Sequence, residues 1–473
     1  MKNLVLYGGC MNPPTDAHVA NARMLAGNFD RTVVVVCGIR EAKPTTTAVD
    51  PLHRAIMARK AFGNTGAELD LTDLDRPTFT TTVELDRAWK ERLGNGWTVW
   101  HAVGSELVAS GASHQADIQS WHDGERAWSQ LNFAVLPRPG FRIAKEDLPP
   151  NHLVMPNLGH TESSTMARTA YSSGNFGTAG VHKEVAEHVQ RYGLYTWAPG
   201  PRRQGILTLS EKSRLAVVHD PHNPKARAYA GLMPEPRVPA ENADAVVVIG
   251  GDGHMLDTIR AIRPCVPIIG INAGNLGMLL NDAHPTAIRT MVSEGTPFDI
   301  HLLPLLEIEI MGLDGKWRPE KYYAFNDVTF GRGFGTRADK IRVEVRGRRP
   351  RTIPEVVCDG IVVASPAGSH AYAYALKAPG QLLETPVLTI VPCAPFRPRE
   401  WQYSTVTDDH EVILTAIDPH IRPARAVVDS LSLGDCLAIR VRMSRSEGVE
   451  LAFIRGCSLA DKIADRQFPF TFC

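Results

Sequence analysis

Three segments of this chain hold residue types with which proteins handle phosphate. In YGGCMNPPTDAHVANARML, residues 7–25, an apolar run ends at Gly8-Gly9, a proline-stiffened loop follows, and a helical pattern begins at Thr15 or Asp16 with His18 in its first turn. That order puts backbone N–H groups and the positive end of a helix dipole at the carboxyl end of a strand, where an anion is favoured. A glycine turn after a strand serves plain architecture as well. In HTESSTMAR, residues 160–168, Ser164, Thr165 and Arg168 are placed to cap a late helix and to clamp a phosphate together. A helix cap with a solvated arginine is the bland alternative. In the third segment the apolar run Ala245–Ile249 leads into Gly250-Gly251-Asp252-Gly253 and then a helical pattern through Met255, Leu256, Ile259 and Ile262. Glycines there let the main chain approach phosphates, and Asp252 is the one group able to accept a proton or hold a metal. A capping aspartate in a turn accounts for the same four residues.

The elements around these segments predict α/β architecture. Leu4–Tyr7, Thr32–Cys37, Leu69–Leu74, Trp97–Val103, Asn132–Leu136 and Leu153–Met155 read as strands alternating with helical stretches, the mark of a parallel sheet with crossover helices. Asp50 before Pro51 is an N-cap with a first-turn proline, and Thr80–Leu93 reads as a helix stopped by Gly94. Ala198–Lys212 breaks the periodicity with proline, glycine and charge and is expected to be a linker. Arg214–Val218 and Ala245–Ile249 then read as buried strands. Beyond residue 299 the runs Ile300–Met311, Val356–Ser365, Val387–Val391, Glu411–Thr415 and Leu437–Val441 are mainly β. The expected organisation is a front domain over 1–197, a linker over 198–212, an α/β lobe over 213–298 and a β-rich lobe over 299–473.

Bulk properties bound the partners. The chain has 473 residues, 44% hydrophobic and 22% charged, with Lys+Arg and Asp+Glu balanced at 51 each. Length favours two to three domains, and the charge balance gives no electrostatic case for nucleic acid or a membrane surface. No apolar stretch approaches the roughly 20 residues that span a bilayer. Eight cysteines without a C-x-x-C pair indicate neither a zinc site nor a disulfide framework. The expectation is a reduced, cytoplasmic enzyme. Cys10, in the first phosphate loop, reads either as a small buried cysteine or as a redox-sensitive thiol near a helix N-terminus.

GGCMNPPTDAH and ESSTMAR resemble the two signatures, at opposite ends of one fold, of nucleotidyltransferases, and their spacing is similar to that in the nicotinamide or nicotinate mononucleotide adenylyltransferases. KPTTTAVDPLHRAIM, DRPTFTTTVEL, VGSEL, the pair Trp121 and Trp128, and LPRPGF fall where that family carries its intervening motifs. The resemblance covers residues 1–197. It implies a Rossmann-like domain in which a mononucleotide phosphate attacks the α-phosphate of ATP in line. It also implies that Thr15 and His18 contact ATP phosphates along the Gly8-Gly9 loop, that Lys43 and Arg168 hold the outer phosphate oxygens beside Ser164 and Thr165, and that Mg2+ bridges them. Gly104 and Glu106 would meet the adenosine ribose, and Thr82, Trp121 and Arg138 the pyridine nucleotide.

The Gly250–Gly253 turn, GINAGNLGMLL at 270–280, FNDVTFGRG at 325–333 and CDGIVVASPAGSHAYAYA at 358–375 resemble, in order, the motifs of the NAD kinases. That resemblance spans residues 213–465 and implies ATP-dependent phosphorylation of the 2'-hydroxyl of NAD. Asp252 would deprotonate that hydroxyl, with Gly250, Gly251 and Gly253 lining the phosphates. Asn326 and Asp327 would grip the adenine and ribose, Asp359 the nicotinamide end, and Ala371 and Tyr372 the wall against the base. A homo-oligomer is implied by the resemblance alone.

Departures from both patterns are visible. Thr15, Ala17 and Glu106 stand where histidine, glycine and aspartate are common in the first family. Asp327, His370 and Lys377-Ala378 stand for glutamate, threonine and Gly-Gly in the second. If the turn at Lys377 needs a positive φ, lysine strains it by roughly 1–3 kcal/mol. Two readings follow: a bifunctional enzyme whose front product is the back substrate, or an adenylyltransferase with a catalytically silent, NAD(P)-sensing kinase-like part. A front domain that adenylylates another phosphate, such as a pantetheine or flavin precursor, is a third. If one activity is weak, it is expected to be the kinase.

Overall fold

Apolar runs that alternate with helices place a parallel sheet at the front of the chain, and the computed structural model has one. It describes residues 1–40, 44–76, 78–141, 143–177, 179–196, 203–235, 237–262, 266–274, 277–332, 337–455 and 462–464. Two units divide the chain, Met1–Arg202 and Arg203–Cys473. In the first, β1 (Lys2–Gly9), β2 (Arg31–Val36), β3 (Glu68–Asp70), β4 (Trp97–Gly104), β5 (Asn132–Leu136) and β6 (His152–Val154) lie in the order β3-β2-β1-β4-β5-β6, every pair parallel. This is the Rossmann-like order, which reverses direction between β1 and β4 and opens a crevice at their carboxyl ends. Gly8-Gly9 closes β1 and Gly104 closes β4, so the chain puts its flexible residues at that crevice.

Local signals set the helices. Asp50 accepts from Leu52 N–H at 3.0 Å and caps the helix Pro51–Phe62. Thr81 and Glu84 form a capping box for the helix Thr82–Leu93, and Gly94 ends it at φ +67°. The run Leu69–Leu74 is shorter as a strand than its apolar pattern implies. It stops at Asp70 because Asp73, buried, turns inward to accept from Gly38 N–H at 2.6 Å and from Thr80 N–H at 2.9 Å.

In the second unit, β7 (Gln204–Leu207), β8 (Leu215–His219), β9 (Ala245–Gly250), β10 (Ile268–Asn272), β11 (Phe298–Met311) and β12 (Trp317–Ala324) precede β13 (Asp327–Arg332), β14 (Asp339–Arg346), β15 (Arg351–Cys358), β16 (Gly360–Ala364), β17 (Val387–Cys393), β18 (Ser404–Thr407), β19 (Glu411–Ala416), β20 (Ala424–Val428), β21 (Leu431–Cys436) and β22 (Ala438–Ile454). A ten-stranded sheet runs β15-β14-β19-β22-β10-β9-β8, with β11 between β22 and both β12 and β7. β8, β9 and β10 are parallel, and all six residues of β9 are buried, as a strand covered on both faces should be. A six-stranded antiparallel sheet runs β18-β17-β16-β13-β20-β21.

Three features differ from the sequence reading. The stretch expected to be a linker contains β7, which pairs with β11, and Leu207 and Leu209 are buried. β22 pairs with β10 and with β19, so the α/β stretch and the β-rich stretch share one sheet. Val356–Ser365 is two strands in two sheets, broken at Asp359-Gly360, where Gly360 takes φ +146°. A Cβ on Gly331 would lie 2.3 Å from Gly360 Cα, so the crossing admits no side chain at 331. Among the described residues no helix is long and apolar enough to cross a membrane.

Candidate active sites

The front crevice is organised by bonds to the main chain of its loop. Thr15, fully buried, is the N-cap of the helix Asp16–Ala26. His18 Nδ1 receives the Thr15 N–H at 3.1 Å and lies 2.6 Å from the Thr15 hydroxyl. An Nδ1 that accepts leaves the proton on Nε2, an assignment made from the bonding pattern. Burial, helped by the Arg138 charge, lowers the His18 pKa to about 4, so the ring is a neutral donor at physiological pH. Ser164 Oγ donates to Pro13 C=O at 2.8 Å, Arg168 donates to Asn12 C=O at 2.6 Å, and a second Arg168 nitrogen lies 3.1 Å from Thr165 Oγ1. Residues some 150 positions apart are therefore joined around one loop. The helix cap is Ser163, whose hydroxyl accepts from Met166 N–H at 3.2 Å, rather than Ser164 or Thr165. That leaves the Ser164 hydroxyl for Pro13.

Across the crevice, Arg138 pairs with Glu106 at 2.7 Å, and Arg138 N–H donates to Ser105 Oγ at 2.9 Å. Glu106 folds back over the end of β4. A Cβ on Gly104 would lie 2.2 Å from its Oε2, an oxygen that is buried without a hydrogen-bond partner. Burial pushes the Tyr7 hydroxyl up to about 12, and both Arg138 and Glu106 act on it. Thr82 is the first residue of its helix. Its neighbour Val83 packs with Trp121 on the cluster around Val103, Val108 and Trp128. Lys43 lies outside the described residues.

Sequence reasoning missed Arg54. It is fully buried and donates to Cys10 C=O at 2.8 Å and to Cys37 C=O at 2.5 Å, tying the ends of β1 and β2 together. It missed Asn12 too, buried and held by the Tyr195 hydroxyl.

In the second unit Asp252 opens the helix Asp252–Ile262 immediately after β9. Its two carboxylate oxygens accept from Met278 N–H at 2.9 Å and Leu279 N–H at 3.1 Å, binding the glycine turn to the 270–280 segment. A Cβ on Gly251 or Gly253 would meet nothing within 4 Å, whereas one on Gly250 would press on His254 at 3.0 Å. The turn thus faces open space.

Asp429, at φ +48° between β20 and β21, accepts from the N–H groups of Phe325, Asn326 and Asp327 at 3.0, 2.9 and 3.3 Å. No sequence signal marked it. Burial and the Asp429 charge raise the Asp327 pKa to about 7. Asn326 Oδ1 is buried with no hydrogen-bond partner. The 365–372 turn sits on this segment: Ser365 Oγ donates to Phe325 C=O at 2.6 Å, and a Cβ on Gly368 would lie 2.0 Å from Asn326 O. Ala371 is half-buried there and Tyr372 is exposed. Arg260, from the Asp252 helix, reaches Ser430 Oγ at 3.2 Å, beside Asp429. Asp359 is engaged by Arg332 at 2.5 Å. Lys377 adopts φ +70°, the left-handed backbone that glycine favours. Among the described residues no group of three or more His, Cys, Asp or Glu is arranged to hold a metal ion.

Residues 6–170 match a family model described as cytidylyltransferase-like, and residues 177–293 match the ATP-NAD kinase N-terminal domain. An NAD kinase of Rhizorhabdus wittichii is 34% identical over 233 residues, 49% of this chain and 88% of that protein. The chain belongs to the NAD kinase family. The NAD kinase of Zymomonas mobilis is 30% identical over 54% of this chain and 98% of its own length. That of Caulobacter vibrioides is 30% identical over 48% and 85%. Among solved structures, a yeast NADH kinase complexed with NADH is matched over 56% of this chain and 90% of its own, at 15% identity and a TM-score of 0.47. This NAD kinase family member is an enzyme with a kinase part and a nucleotidyltransferase-like part. The first of these accounts for the Gly250–Gly253 turn and the second for the Gly8-Gly9 loop.

Proposed function

We propose that the front unit transfers the adenylyl group of ATP to nicotinamide or nicotinate mononucleotide, releasing pyrophosphate, and that the second unit transfers the γ-phosphate of ATP to the 2'-hydroxyl of NAD. The observation that carries the front reading is the loop of residues 8–18, with its carbonyls taken up by Ser164 and Arg168 and a neutral His18 held by Thr15. Positioning and charge stabilisation suffice for in-line displacement at phosphorus. His18 Nε2–H and the guanidinium of Arg168 supply donors for phosphate oxygens, and no side chain there needs to act as a nucleophile. The unpartnered Glu106 oxygen is suited to accept from a ribose hydroxyl, while its other oxygen keeps Arg138 in place.

In the second unit each Asp252 oxygen accepts one backbone N–H and retains a free lone pair, so the carboxylate can accept the 2'-hydroxyl proton. The lone acceptor of Asn326 suits the adenine amine, and Asp327 the ribose. Mg2+ would enter on the ATP phosphates and neutralise charge there, needing at most one or two carboxylates; Asp252 is the carboxylate beside the glycine turn. A second reading, a silent NAD(P)-sensing kinase part, is favoured by Lys377 in left-handed backbone.

Incubating the full chain with ATP, Mg2+ and either mononucleotide, and resolving products by mass, separates the readings. NAD from the amide, NADP lost by a factor of about 10²–10⁴ in Asp252→Asn, and dinucleotide lost only in His18→Ala are the expected results. Dinucleotide without any 2'-phosphorylated product would reject the kinase assignment and, with NAD still bound, favour the sensor.

A further inference from the structure

Cys10 and Cys37 immediately follow the adjacent parallel strands β1 and β2. Gly9 and Val36 are paired in register, Cys37 N–H donates to Gly9 C=O at 3.0 Å, and the two sulfurs lie 3.4 Å apart. Both residues are half-buried rather than sealed in the core. Neighbouring strands run about 4.7–4.9 Å apart, inside the Cα separation of roughly 4.4–6.8 Å that a disulfide needs. One guanidinium, Arg54, grips both carbonyls and lies 3.8 Å from the Cys37 sulfur. The residue after Cys10 is Met11, at φ +46°, and the next two are Asn12 and Pro13, whose carbonyls Arg168 and Ser164 hold. Any pull on Cys10 is therefore transmitted directly to the phosphate loop.

We propose that Cys10 and Cys37 form a reversible disulfide that slows the front unit's transfer reaction by displacing this loop. Its effect on activity rests on the adenylyl-transfer reading above; formation of the bond does not. The oxidant is a low-molecular-weight disulfide of the glutathione type. Cys37 S–H donates to Cys10 Sγ, and that bond together with burial pushes the Cys37 thiol far up, so the Cys10 thiolate is the one that attacks a sulfur of that disulfide and releases one small thiolate. The partner cysteine, deprotonated, then displaces the second, so two protein thiols are oxidised, one external disulfide is reduced, and both protons pass to the departing thiolates. Bond formation draws the sulfurs in by about 1.4 Å, to a bond of about 2.05 Å. Side-chain rotation closes part of that distance and the loop takes up the rest; a displacement approaching about 1 Å in a loop that positions reacting groups lowers the rate by up to about 100-fold.

The test equilibrates the full chain in glutathione buffers from fully reduced to fully oxidised, quenches in acid, alkylates, and digests with trypsin. Peptides 3–23 and 32–40 each hold one cysteine of the pair. The expected result is a 3–23/32–40 link in the oxidised buffer, a matching fall in dinucleotide formation that a dithiol reverses, and unchanged NADP formation from added NAD. Cys37→Ser is expected to keep the reduced-state rate and to lose both the link and the oxidative fall. Separate, alkylatable peptides in the oxidised buffer would overturn the pair, and a linked chain with an undiminished rate would overturn its regulatory effect. A reduced chain that makes no dinucleotide would reject the adenylyl-transfer reading and the regulatory effect with it, while the peptide map still decides the pair.

Discussion

Replacing Asp327 by asparagine should stabilise the second unit at alkaline pH, by less as pH falls, and leave it nearly unchanged below about pH 4. Asp327 is 7% exposed, and burial together with the adjacent Asp429 raises its pKa from an ordinary 3.8 to about 7 in the folded chain. Between those two values the folded state holds a proton that the unfolded state has released, so unfolding free energy falls as pH rises through that window and stays reduced above it. A shift of about 3 pH units corresponds to about 4 kcal/mol at 1.36 kcal/mol per unit, and relaxation of a coupled pair brings the expectation to about 2–4 kcal/mol. Asparagine keeps the shape of the protonated acid and cannot ionise. At pH 5, already about one unit into that window, the variant's gain should be only about 1–2 kcal/mol, and at pH 8 its urea midpoint should lie about 1 M higher, given slopes of about 2–3 kcal/mol per M. Pulse proteolysis in graded urea, with surviving peptides from residues 203–473 counted by mass, reads that unit separately from the front. Equal effects of the substitution at pH 5 and pH 8 would refute the reasoning.

Lys377→Gly relieves a left-handed backbone at φ +70° and should raise the second unit's stability by about 1 kcal/mol, whereas Lys377→Val should lower it; the same proteolysis measures both. Ser163→Ala removes a cap bond of 3.2 Å and should cost the front unit about 1 kcal/mol while also loosening Ser164 and Arg168, seen as a higher KM for ATP. His188 is fully buried against His53 and Tyr192, and burial holds its pKa well below the usual imidazole value. Unfolding lets it take up a proton, so front-unit stability should drop as pH falls below about 6.5, and should drop less in His188→Gln; urea midpoints of residues 1–202 at pH 7.5 and 5.5 test this.

What the sequence made legible were elements whose cause is local. Asp50-Pro51, the helix stop at Gly94, and the apolar run before Gly250 each fix their own stretch of chain, and each formed as read. The chemically typed residues Thr15, His18, Ser164, Thr165 and Arg168 are brought together, because the order β3-β2-β1-β4-β5-β6 opens its crevice where the loop after β1 lies. Arg54, Asn12 and Asp429 escaped notice because their work is done on distant main chain: a guanidinium on two carbonyls, an amide under a tyrosine, a carboxylate under three N–H groups. No spacing rule marks such residues. The break at Asp359-Gly360 was hidden for a related reason. An apolar run through two sheets looks like one strand until the crossing with Gly331 is known.

The departures from the two family patterns are absorbed differently in the two units. Glu106 is one methylene longer than aspartate, and the extra reach is taken up where β4 ends in a residue with no side chain: the carboxylate folds over Gly104, pairs with Arg138 and keeps one oxygen unpartnered in the crevice. Thr15 makes no side-chain cap bond to its helix; its backbone N–H and hydroxyl both meet His18 Nδ1 instead. These replacements preserve donors and acceptors at the cleft. In the second unit His370 finds a comparable solution, its Nε2 lying 2.7 Å from Gln381 C=O, and Ala378 is buried. Lys377 does not, because its cost lies in its own φ and no neighbour can remove it. The strain is carried five residues after exposed Tyr372, just beyond the turn that sits on Phe325 and Asn326, so it falls on that side of the unit rather than on Asp252, whose two backbone bonds come from a different segment.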